Sequence, residues 1–153
     1  MHNTRIQFNN NNATSQAGAL QAEGSSSINI ADYSQMKFSG SSAQITAAIG
    51  LIFSTLSMSN ISSIEVTSNR ASIQCGGFHA ENSIINVQNH ACMNLIDNKS
   101  AKVGAVSLRL SVLNVRHNAT ISFINNTGGS QQGAIAAESV SYTHLTLPTI
   151  YSV

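Results

Sequence analysis

Residues 63–98 read SIEVTSNRASIQCGGFHAENSIINVQNHACMNLIDN, and this stretch decides the fold. It opens on the apolar pair Ile64/Val66, with Asn69 three residues later. It closes on Met93/Leu95, with Asn98 three residues later. Between them lie Phe78/Ala80 and Ile85/Val87. Each pair places apolar side chains at i and i+2, the period of a strand with one buried face. One period of about 29 residues therefore holds three short strands and then returns to its own beginning.

The same three pairs recur on both sides. The first ladder is Ile6/Phe8, Met36/Phe38, Ile64/Val66, Met93/Leu95 and Ile121/Phe123. The second is Leu20/Ala22, Ile49/Leu51, Phe78/Ala80, Val106/Leu108 and Ile135/Ala137. The third is Ile28/Ile30, Leu56/Met58, Ile85/Val87 and Leu113/Val115. Helical repeats of similar length need i, i+3, i+4 spacing, which is absent here. Ser, Thr, Asn and Gly are also poor residues for helix interiors. Three short strands cannot bury a face alone, but stacked copies bury a continuous core. The pattern predicts an all-β parallel β-helix (a solenoid) of about five coils, each with three short strands. At about 4.8 Å per coil the rod is roughly 20–25 Å long. The crossover rule makes it right-handed.

In such a rod, equivalent residues stack. Phe8, Phe38, Val66, Leu95 and Phe123 form an inward apolar stack. Three residues after each come Asn11, Ser41, Asn69, Asn98 and Asn126. Asn tolerates left-handed backbone and hydrogen-bonds along a stack of its own kind, so Asn11, Asn69, Asn98 and Asn126 are expected to staple a turn. Small residues precede the second ladder, with Gly18, Gly77, Gly104 and Gly133 expected at a tight corner. No helix or lysine follows them, which excludes a nucleotide-binding loop. Arg109 falls between Glu81 and Glu138 on neighbouring coils, a surface ion-pair ladder worth little per pair.

Charged residues make up 8% of the chain and the net charge is +1, which excludes a nucleic-acid-binding face. The hydrophobic fraction is 42% and lies in register, which argues against disorder. The longest apolar run, residues 45–56, is too short to span a bilayer. The polar N-terminus carries no signal peptide and starts almost on the first rung, as expected for a fragment of something longer.

Candidate chemistry is sparse. His90 and His117 share a corner of consecutive coils, one position apart, without the carboxylate or cysteine support of a metal site. Cys75 and Cys92 fall on different faces, too far apart for a disulfide, and are expected as free, partly buried thiols. Asn12, Asn60, Asn98, Asn118 and Asn125 begin N-x-[ST] acceptors, but an Asn-, Ser- and Thr-rich chain yields about as many by composition. Polysaccharide hydrolysis needs clustered carboxylates, and Asp32 and Asp97 occupy different parts of the repeat. No catalytic, cofactor-binding or metal-ligating residue is therefore assigned. The fold alone does not confer an activity.

The paired F-x-x-N and G-G-A-[LIV] signatures resemble the repeats of chlamydial polymorphic outer-membrane proteins. Residues 8–11 and 123–126 match the first signature, with Val66-Thr67-Ser68-Asn69 and Leu95-Ile96-Asp97-Asn98 as variants; residues 38–41 end on Ser41. The second appears in degenerate form at residues 17–20, 76–78, 103–106 and 132–135. The resemblance covers residues 5 to about 138. It implies a non-enzymatic, adhesin-like passenger at the cell surface or in the extracellular space (the outer membrane if bacterial). In the bacterial form a membrane barrel would follow, outside this chain. Its partner would be a host-cell or extracellular glycan or protein. The corner segments 9–16 and 125–132, which differ between coils, are where contacts are expected. The alternative is a piece of a carbohydrate-active, pectate-lyase-like β-helix.

The register weakens at the end. Tyr142 and His144 fit the third ladder poorly, and residues 140–153 (VSYTHLTLPTIYSV) resemble a translated sequencing-adaptor string. Residues 1–139 are thus expected to form the β-helix segment, and residues 140–153 a non-native or disordered tail.

Overall fold

A computed structural model describes residues 3–139 and 141–143. These form a parallel β-solenoid of about five turns, with no helix among the described residues. The first face stacks Arg5–Asn9, Gln35–Ser39, Ser63–Thr67, Cys92–Ile96 and Thr120–Ile124. The second stacks Leu20–Glu23, Ile49–Ile52, Phe78–Glu81, Val106–Arg109 and Ile135–Glu138. The third stacks Ser27–Ile30, Thr55–Met58, Ile84–Val87, Val112–Val115 and Ser141–Thr143. The three sequence ladders are these three faces in register: Ile64 pairs with Met36 and Met93, Phe78 with Ile49 and Val106, and Ile85 with Leu56 and Leu113.

Inward residues of the faces make one continuous core. Phe38, Val66 and Leu95 are completely buried, while Phe8 and Phe123, near the two ends of the stack, are partly buried. The Phe8 and Phe38 rings stack in parallel at 4.7 Å.

A fourth, narrow sheet lies between the first and second faces. It consists of Ser42–Ala43, Arg70–Ala71, Lys99–Ser100 and Thr127–Gly128. A two-residue strand leaves one inward position, here filled by Ala43, Ala71, Ser100 and Gly128. Side chains that small carry no hydrophobic signal, so the sequence pattern of three strands per coil omits this one.

The corners are built from left-handed backbone. Asn10, Gly40, Ser68, Asp97 and Asn125, each just before the asparagine-ladder position, all have φ between 51° and 64°. These are residue types that accept that conformation. Between the third face and the next coil lies a turn with two consecutive left-handed residues. It occurs at Asp32-Tyr33, Asn60-Ile61, Asn89-His90 and His117-Asn118. Each is closed by an N–H to C=O bond of 3.1–3.2 Å, such as Ser62 to Ser59, which makes it a type I′ turn. His90 and His117 therefore serve as second and first central turn residues.

The third corner, between the second and third faces, departs from expectation by residue type. Gly24, Phe53, Asn82, Leu110 and Ser139 occupy it, all with positive φ. Phe and Leu are unfavourable there. Interstrand bonds hold them: Phe53 N–H donates to the Glu81 carbonyl and Leu110 N–H to that of Glu138, each at 3.0 Å. Their side chains are exposed. Beside them runs a buried serine ladder. Ser54 and Ser83 backbone N–H groups donate to the Ser83 and Ser111 hydroxyls (3.1 Å each), and each hydroxyl donates to a carbonyl of its own coil.

The strand register runs past residue 139. Ser141, Tyr142 and Thr143 pair with Val112, Leu113 and Asn114. The remainder of the tail named above, Val140 and residues 144–153, lies outside the described residues.

Candidate functional site

The corner after the first face carries the most organised polar structure. Asn69 and Asn98 are completely buried, and Asn126 is partly buried. The Asn69 Nδ2 donates to Asn98 Oδ1 and the Asn98 Nδ2 to Asn126 Oδ1, both at 3.0 Å. Each Oδ1 also accepts the backbone N–H of the preceding coil, from Ser41, Asn69 and Asn98 respectively (2.9–3.1 Å). Each Nδ2 also donates to the carbonyl of Phe38, Val66 or Leu95 (2.7–3.2 Å). The Oδ1 atoms thus satisfy backbone N–H groups that the bend takes out of the ladder of strands, and the Nδ2 groups tie each amide to the adjacent strand.

The ladder breaks at Ser41. The buried Ser41 hydroxyl and the buried Asn11 Nδ2 both lack a hydrogen-bond partner. An asparagine at position 41 would accept from Asn11 and donate to Asn69, as its counterparts do. Ser41→Asn is therefore expected to raise stability by about 1 kcal/mol, read as a higher urea midpoint at unchanged slope.

Against this buried ladder lies an open groove of about 390 Å³. Asn69 contributes to its floor. One wall is the left-handed column Ser68, Asp97 and Asn125; the other is the outward column of the fourth sheet, Arg70, Lys99 and Thr127. The groove crosses three consecutive coils, so each wall offers one side chain about every 4.8 Å. Both walls are exposed and wholly polar or charged. Arg70 and Lys99 make no ion pair among the described residues. Three other cations are engaged, Lys37 with Glu65 (2.7 Å), Arg109 with Glu81 (2.8 Å) and Glu138 (3.9 Å), and Arg5 with Gln35, while Lys102 also makes no ion pair among the described residues. The Lys37 ammonium holds the Glu65 carboxyl below its usual range. The groove is part of the corner that the sequence marked for contacts, and residues 125 and 127 belong to the segment named there. Asp97 is weighed in the sequence only as an isolated carboxylate, and Arg70 and Lys99 carry no signal there, because one cation per coil gives none until adjacent coils are stacked.

The glycine corner shifts by one residue. The register aligns Gly18, Ala47, Gly76, Gly104 and Gly133, whereas Gly77 belongs to the next column. The degenerate Gly76-Gly77 pair is ambiguous in sequence, and the strand pairing resolves it. A Cβ at Gly76 would meet the Gly104 and Lys99 carbonyl oxygens at 2.6 Å, so backbones approach closely at the glycines of this column, while Ala47 carries its methyl group there.

Both cysteines are free. Cys75 is completely buried; its thiol donates to the Phe78 and Ala105 carbonyls (3.1 and 3.2 Å), and burial pushes its pKa up to about 12. Cys92 is only half-buried, and burial raises its pKa as well. Under native conditions at mildly alkaline pH, alkylation followed by intact mass is expected to modify Cys92 and to reach Cys75 only after unfolding.

His79 is buried on the second face, with an Nδ1 that has no hydrogen-bond partner. Burial lowers its pKa, against the opposing pull of Glu81 and the Ser107 backbone; Arg109 adds to the lowering. A lowered folded-state value means that neutral His79 favours the fold above the unfolded pKa of about 6.5. That contribution is lost as pH falls through the lower folded value. His79→Gln is expected to flatten the dependence of the urea midpoint on pH below about 6.5; an unchanged slope would count against it.

Of the acceptor asparagines, Asn98 is locked in the ladder, whereas Asn12, Asn60, Asn118 and Asn125 are exposed. No described helix is long and apolar enough to cross a membrane. Comparison with protein-family models, with curated proteins and with solved structures finds no match.

Proposed function

We propose that the chain is a non-enzymatic, adhesin-like repeat module of a surface-exposed or secreted protein, similar to the polymorphic outer-membrane repeats. The observation that carries this reading is the contrast between inside and outside. Inward columns stay apolar and the asparagine corner recurs on most coils, while outward columns vary from coil to coil. On the first face one outward column runs Gln7, Lys37, Glu65, Asn94, Ser122. A stiff rod whose exterior varies freely suits display of contact residues rather than one fixed reaction centre. The carboxylates are dispersed: Glu81 and Glu138 flank Arg109, and Asp32 accepts from Asn60 at 2.9 Å. The test is to immobilise the full chain and present cells and a glycan array. Retention without turnover supports the module. Depolymerisation of any polysaccharide, abolished by substitution of Asp97, supports the carbohydrate-active alternative instead.

A further inference from the structure

We infer that the groove between the left-handed column and the fourth sheet is a binding site for an acidic saccharide, with Arg70 and Lys99 as its anion-recognising residues. This deepens the adhesive reading and rests on it. Four features point the same way. The groove volume, about 390 Å³, falls within the range of small-ligand sites. Its walls carry hydroxyl, amide, carboxylate and cationic groups, which suits a ligand dense in hydroxyls. Its floor is rigid, because Asn69 is locked by amide and backbone bonds to the buried Asn98 behind it, so little ordering accompanies binding. Its two cations lie on adjacent coils about 4.8 Å apart, and neither is neutralised by an ion pair among the described residues.

Each side chain has a distinct role. The Arg70 guanidinium can hold a carboxylate or sulfate with two parallel N–H donors. Lys99 meets an anionic group of the same ligand one coil further on. Asp97, on the opposite wall, accepts from a sugar hydroxyl, and Asn125 and Thr127 can donate or accept. A lone phosphate or a nucleic-acid strand fits less well: two cations give little counterion release, and the groove has no aromatic face for a base. Carboxylated and sulfated saccharides share the recognised chemistry, so both belong in the test.

The test is a titration of the full chain with a uronate oligosaccharide, a sulfated oligosaccharide and a neutral one of equal length, followed by calorimetry and by amide shifts in NMR spectra. Binding of at least one acidic ligand is expected, centred on residues 68–70, 97–99 and 125–127 and weakened by salt. The neutral ligand should bind far more weakly. Because both cations are exposed, Arg70→Gln/Lys99→Gln should fold as the parent does, checked by circular dichroism, and lose about tenfold or more in affinity. Lys102→Gln, a cation outside the groove, should bind like the parent. If neither acidic ligand shifts the groove residues, the assignment fails. It also fails if the double variant binds as tightly as the parent. In either case, cell or glycan retention by the immobilised chain still decides the adhesive reading separately.

Discussion

Replacing Asn98 with alanine is expected to lower the free energy of unfolding by about 3–4 kcal/mol. Asn98 is completely buried at the centre of the ladder. Its Oδ1 accepts from both the backbone and the side chain of Asn69, and its Nδ2 donates to Val66 and to Asn126. Alanine removes all four bonds and strands the Asn69 N–H away from water. A stranded group costs about 1–3 kcal/mol, more than the net value of a made bond. Asn94→Ala is the matched control: its side chain points outward on the same coil, and the change should stay within about 0.5 kcal/mol. Urea unfolding with a constant slope is the measurement. Equal midpoints for the two variants would show that the ladder contributes nothing net to stability.

Gly76→Ala is expected to cost about 3 kcal/mol, the upper end of the overpacking range. The added methyl would meet the Gly104 carbonyl and both the N and O of Lys99 at 2.6 Å. All three are backbone atoms, two in the paired strand Lys99–Ser100 and one in the hydrogen-bonded bend at Gly104, so the clash is relieved only by moving backbone. Gly50→Ala provides the contrast. There the nearest atoms to a methyl are Ala17 Cβ and Gln21 Oε1, both at 3.6 Å, which is ordinary van der Waals contact. That substitution should be neutral or stabilise by up to about 1 kcal/mol, because it restricts the unfolded chain without crowding the folded one. Thermal unfolding of both variants separates the cases. Similar melting temperatures would mean that position 76 tolerates a methyl group as Ala47 does in the same column, and that glycine is used there for another reason.

These two sites differ in how far sequence exposes them. Asn98 recurs at fixed spacing with Asn69 and Asn126, and an amide at a bend has few other uses, so its role was readable directly. Gly76 was not separable from Gly77 until Cys75 paired with Thr46 and Val103. The serine ladder at Ser54, Ser83 and Ser111 also recurs at regular spacing. In a chain this rich in serine, that spacing is camouflaged by composition.

What the sequence by itself determined is the repeat, the three inward apolar columns and the asparagine staple. Those follow from a period of two within strands and a period of about 29 between them, both of which survive in a linear string. Only the tertiary structure decided the fourth strand, the glycine column, the left-handed corners at Phe53 and Leu110 and the stacking of Arg70 on Lys99 along one wall of the groove. Each depends on what lies one coil above or below. A side chain that is small, exposed or conformationally atypical leaves no periodic trace, and its environment comes from a neighbour nearly thirty residues away that only stacking brings into contact.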